Sequence, residues 1–117
     1  MHTTYLKNLI GFESLTPQSN GAIEYIDDLL REHGFKTEVK IFGETEQVTN
    51  LYAVYGNSKP NICFVGHVDV VPAGDPNLWY NSNPFKAHEQ DEKIYGRGAV
   101  DMKGSIACFL AASLDFI

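Results

Sequence analysis

The residues best suited to chemistry stand where an apolar run ends. Ile62-Cys63-Phe64-Val65 leads into Gly66-His67-Val68-Asp69, followed by Val70-Val71-Pro72. In extended backbone, residues two apart project to the same side. His67 and Asp69 therefore emerge together at the end of the expected strand, where α/β folds place ligand sites. An imidazole there can ligate a metal through one nitrogen. A carboxylate beside it can fix the ring and raise its basicity. The plain structural alternative is a hydrogen-bonded core histidine with a turn-capping aspartate.

A second cluster lies in Tyr95-Gly96-Arg97-Gly98-Ala99-Val100-Asp101-Met102-Lys103-Gly104-Ser105. Gly96 and Gly98 allow close backbone approach or positive φ. Asp101, just before an expected helix, could bridge two cations about 3.5–4 Å apart. It could also serve only as a helix N-cap. Phosphate-binding loops do not fit. The order Lys103-Gly104-Ser105 is not the Gly-Lys-Ser/Thr of a nucleotide loop, and Asp101 stands where a dinucleotide fingerprint needs its third glycine.

Taken together, Gly66-His67-Val68-Asp69-Val70-Val71-Pro72-Ala73-Gly74, Trp79, Pro84-Phe85 and Tyr95 to Gly104 closely resemble the signature of the M20 metallopeptidase family. Ser14-Leu15-Thr16-Pro17 fits it too, so the likeness spans nearly the whole chain. Val70-Val71-Pro72 and Gly96-Arg97-Gly98 look most like the branch that removes a succinyl group from a diamino acid. A deacetylating branch is the nearest alternative. The resemblance implies a two-zinc amidohydrolase, with Co2+ able to substitute, acting on a small N-acyl amino acid in lysine and diaminopimelate synthesis. His67 would ligate one zinc and Asp101 would bridge both. Asp69 would sit behind His67 in a catalytic supporting role, and the Asp101–Met102 peptide bond would be cis. Full-length members are expected to be homodimers.

Two departures are small. Val68 stands where threonine is commoner, and Asn81-Ser82-Asn83 lengthens a loop. A third concerns content. The family's Glu-Glu pair with its general base, its remaining ligands, its substrate-binding arginine region and its dimerisation domain are expected downstream of Ile117. The competing expectation is a non-catalytic remnant or fragment, and a binding module is a further alternative.

The elements that must position these residues follow from periodicity. Tyr5, Leu6, Leu9 and Ile10 predict a first helix, closed by Gly11 and Thr16-Pro17. Ile23, Ile26, Leu29 and Leu30 give one apolar stripe over residues 21–33, with Asn20 as cap and Gly34 as left-handed stop. Phe35, Thr37, Val39 and Ile41 alternate with charged residues and predict a half-exposed strand. Residues 50–55 predict a second strand, and Ile62–Val65 a central strand buried on both faces. A helix from about Met102 runs to Ile117 without a stop signal, which suggests truncation. The expected fold class is α/β, a mixed β-sheet with flanking helices. Residues 1–117 would then form the N-terminal portion of a zinc-dependent exopeptidase-like catalytic domain.

Composition excludes more than it selects. The 117 residues carry a net charge of −6 with no basic cluster, which argues against nucleic acid or an anionic membrane as partner. No secretory signal is visible, and the apolar stretch near Ile106–Ile117 is too short to span a bilayer, leaving a soluble cytoplasmic protein as the expectation. Cys63 and Cys108 sit in apolar runs and are expected to be buried, reduced core thiols. His2, His33 and His88 read as surface histidines, and Trp79 and Phe85 as packing anchors. Glu44, Glu46, Asp91 and Glu92 read as solvated loop charges. Arg97 could contact an acidic group or form a structural ion pair.

Overall fold

The computed structural model describes residues 1–45 and 47–117; the expectation for Glu46 lies outside them. Three helices supply the core. α1 spans His2–Ile10 and buries Tyr5, Leu9 and Ile10. α2 spans Ala22–Glu32, and its stripe of Ile23, Ile26 and Leu30 faces inward. α3 spans Gly104–Phe116 and buries Ile106, Ala107 and Leu110. All of these side chains except Ile10 meet with Val68 in one cluster. Each fully buried aliphatic side chain contributes about 1.5–3 kcal/mol, so this packing fixes the helices relative to one another.

The predicted ends hold with one exception. Gly34 adopts φ 89° just past α2, as a left-handed stop requires. Asn20 is not the cap. It takes φ 48° itself and donates from its amide to the Glu13 carbonyl at 3.2 Å, while Gly21 occupies the N-cap position.

Helices and strands are mixed as expected, but the strands form separate antiparallel pairs. β1 (Lys36–Phe42) pairs with β2 (Val48–Val54), setting Val39 opposite Leu51. β3 (His88–Gln90) pairs with β4 (Lys93–Tyr95). The turn between them, Asp91-Glu92, has φ 52° and 61°, the sign pattern of the tight hairpin turn that matches strand twist. These residues therefore close a hairpin as well as carrying exposed charge. Among the described residues, parallel pairing is confined to one bridge between Leu15 and Val70.

Two expectations are corrected. Ile62–Val65 is not a buried central strand: it carries no strand pairing, Ile62 is 90% exposed and Val65 is 84% exposed. An apolar run is covered on both faces only when neighbouring strands and helices sit against it. Among the described residues only a partial cover exists, with Phe64 stacked on Phe109 of α3 at 4.5 Å. Cys63 and Cys108 are accordingly exposed, Cys63 with its uncovered run and Cys108 on the outer face of α3. Strand β1 is also barer than alternation predicts, with Val39 and Ile41 both exposed. No helix among the described residues is long and apolar enough to cross a membrane.

Candidate active site

The segment carrying His67 and Asp69 is held from the opposite side of the chain. Ser14 is fully buried, and its hydroxyl donates to the Val68 carbonyl at 2.7 Å. The Val70 amide donates to Ser14 O at 2.8 Å, and the Thr16 amide to Val70 O at 3.0 Å. Val68 and Val70 point into the core, so the alternation turns His67 and Asp69 outward together.

The second cluster forms a wide turn between β4 and α3. Asp101 and Met102 leave helical geometry, and the Asp101–Met102 bond is cis. The two glycines before it permit close packing. A Cβ on Gly96 would stand 2.6 Å from Ile10 Cγ2, and one on Gly98, where φ is 83°, 2.6 Å from Val70 Cγ1. Lys103 is buried beneath the turn and donates to the Phe12 carbonyl at 2.9 Å. Burial lowers its pKa to about 8, because the charged ammonium is taken out of water.

These supports bring the distant segments together. His67 Nε2 lies 3.1 Å from Asp101 Oδ1. On its other side, His67 Nδ1 stands 3.1 Å from the Asp69 carbonyl and 3.3 Å from Asp69 Oδ1. Both of those neighbours are acceptors and would receive a proton carried on Nδ1. In that tautomer Nε2 presents its lone pair to another acceptor, the Asp101 carboxylate. Two facing acceptors are tolerated only with a proton or a cation between them. The side chain of Asp101 is 85% exposed, so the pair opens on solvent. Beneath it, the His67 backbone amide points at Met102 Sδ at 3.4 Å.

The donor set suits zinc in kind. Imidazole nitrogen and carboxylate oxygen bind at about 2.0–2.2 Å, and neighbouring donors on a tetrahedral ion lie roughly 3.3 Å apart, near the separation seen here. It does not suit zinc in number. Among the described residues no group of three or more His, Cys, Asp or Glu converges on one point.

His67, Asp69 and Asp101 line an open cleft of about 450 Å³, whose wall includes Trp79, Tyr95 and Arg97. Trp79 anchors its loop, its indole N–H donating to Ala73 O at 3.0 Å, and also lines the cleft. Arg97 lies over the Trp79 ring, 5.1 Å from its centroid. Behind Tyr95 of the wall lies an aromatic cluster that spacing did not signal: Tyr80 stacks on His88 at 4.0 Å and meets Tyr95 edge-on at 5.0 Å, so His88 is half-buried rather than a free surface group. Phe85 is half-buried beside the buried Pro84, whose carbonyl accepts from the Arg97 amide at 2.7 Å.

A helix-and-strand layer thus presents a histidine–carboxylate pair in a solvent-facing cleft, and known proteins resemble it. Residues 63–116 match the model of peptidase family M20/M25/M40. The crystal structure of human carnosine dipeptidase 1 superposes with a TM-score of 0.81 at 26% identity, over 97% of this chain and 27% of that one. The whole chain is 96% identical to succinyl-diaminopimelate desuccinylase of Rickettsia bellii (strain OSU 85-389), spanning 30% of that protein. It is 77% identical to the protein of the same name from Rickettsia canadensis (strain McKiel), spanning 31% of it. Residues 63–116 are thus similar to family M20/M25/M40, and the whole chain is near-identical to the N-terminal part of the Rickettsia bellii succinyl-diaminopimelate desuccinylase. The chain spans about a third of the length of these relatives.

Proposed function

We propose that this chain is the N-terminal part, over residues 1–117, of the catalytic domain of a two-zinc amidohydrolase. The complete enzyme would hydrolyse N-succinyl-LL-2,6-diaminopimelate to succinate and LL-2,6-diaminopimelate. The observation that carries the reading is the approach of His67 Nε2 to Asp101 Oδ1, 3.1 Å apart, from segments distant in the chain. His67 would hold one zinc and Asp101 would bridge two. Asp69 would keep the imidazole in the tautomer that offers Nε2. Bound zinc supplies Lewis acidity toward the amide carbonyl and lowers the pKa of water. Co2+ would substitute. The general base, the remaining ligands and any homodimer contact would come from outside these 117 residues.

A second reading concerns the chain alone. Catalytic zinc keeps three protein ligands, and no such group exists among the described residues. The 117-residue chain by itself would then bind zinc weakly and turn over nothing. Both readings are tested with one pair of proteins: this chain alone, and this chain continued by the remaining sequence of the Rickettsia bellii relative. The continued protein is expected to release succinate when loaded with zinc, and His67→Ala or Asp101→Ala to lower kcat/KM by at least about a thousandfold. The chain alone is expected to release none. Full activity in His67→Ala would sink the first reading, and clear turnover by the short chain the second.

A further inference from the structure

The cleft contains a cation that no partner among the described residues uses. Among the described residues, the Arg97 guanidinium makes no hydrogen bond or ion pair, and its Nε is buried without a partner. The structural ion pair open to it on sequence grounds is therefore not formed by these residues. Arg97 nonetheless has a fixed place. Its backbone amide is bound to Pro84 O at 2.7 Å, the glycines on either side are packed against Ile10 and Val70, and its guanidinium lies on Trp79. A planar five-donor group held against an aromatic face is preorganised for a carboxylate. It lines the same cleft as His67 and Asp101, in a chain whose net charge is −6. A half-buried guanidinium whose Nε has no partner gains by taking an anion that enters the cleft.

We infer that Arg97 is an anion receptor of this cleft and takes a carboxylate of the ligand, orienting it relative to the His67–Asp101 pair. The assignment rests on the amidohydrolase reading for the identity of the ligand, but not for the existence of the anion site. The substrate proposed above offers carboxylates on both its acyl and its amino-acid side. Either would satisfy a guanidinium.

Trp79 is the only tryptophan of the chain, so its fluorescence reports on Arg97 directly. The 117-residue chain is titrated with succinate, with LL-2,6-diaminopimelate and with neutral succinamide. EDTA is present throughout, so that the result does not depend on whether the metal reading is right. A saturable change is expected with at least one carboxylate and none with succinamide; the responding compound identifies which side of the substrate Arg97 holds. Arg97→Met is expected to raise the midpoint at least about tenfold, and Arg97→Lys, which keeps the charge but loses the fork, by about threefold. Far-UV circular dichroism checks that both variants fold. Equal responses to succinate and succinamide, or an unchanged midpoint in a folded Arg97→Met, overturn the inference. So does loss of the response in the continued protein while the short chain keeps it, because a carboxylate of the longer polypeptide would then occupy Arg97.

Discussion

The ammonium of Lys103 donates to the carbonyl of Phe12 at 2.9 Å, joining the base of the Asp101 turn to the loop that leaves α1. Neither residue belongs to the histidine–carboxylate pair. Both act beneath it: the Phe12 loop continues into Ser14, which holds Val68, and Lys103 opens the helix that follows Asp101. A single buried cation thus links the two segments whose ends meet at His67 and Asp101.

That burial gives a pH signature in the metal-free chain. The folded pKa of Lys103, about 8, lies below its ordinary value of 10.5, so the unfolded chain binds the proton more tightly. Between those two values the unfolded state holds more protons, and stability rises with pH. The midpoint of urea unfolding is expected to climb from pH 8 toward pH 10.5 as the burial penalty on the charge is relieved. Lys103→Met removes this rise, and a variant with an unchanged slope would show that Lys103 is not its source.

Gly98 and Gly74 both have positive φ, 83° and 76°, but different surroundings. A Cβ at 98 meets Val70 at 2.6 Å, whereas one at 74 meets nothing within 4 Å. Gly74→Ala should therefore cost only the left-handed strain, about 1–2 kcal/mol. Gly98→Ala adds overpacking and should cost about 2–4 kcal/mol in all. Equal losses in denaturant unfolding would contradict this account of the turn.

Ser14→Ala removes the buried hydroxyl that donates to Val68 O, leaving that carbonyl one partner short. The expected loss is about 1–3 kcal/mol. Amide hydrogen exchange at residues 67–70 should accelerate more than at α2, because Ser14 pins that segment. Uniform acceleration along the chain would argue against a local role.

Both cysteines are exposed, so both should react with Ellman's reagent in the folded 117-residue chain. The reaction should finish with a yield of two thiols without denaturant. A yield of none before unfolding would restore the buried-core expectation.

Much of the fold was legible in local pattern. The helical stripes of α1 and α2, the stop at Gly34 and the alternation of β1 are properties of adjacent residues, and they need no distant partner to be read. The β3–β4 hairpin was missed because Asp91-Glu92 lacks the usual glycine or asparagine, and its turn is imposed by strand pairing on either side. Asn20 looked like a cap because its type is right, yet Gly21 reaches the required backbone angles at less cost.

The sequence by itself determined which residues could do chemistry: a histidine and an aspartate two apart, and a carboxylate among glycines. Side-chain identity and short-range projection settle that much. Only the tertiary structure decided that His67 Nε2 and Asp101 Oδ1 face one another, that Arg97 lies unpaired on Trp79, and that the run at 61–66 is uncovered. Those facts depend on contacts between segments far apart in the chain. Apolarity states that a residue gains by burial, but which surface buries it is fixed by the folded arrangement.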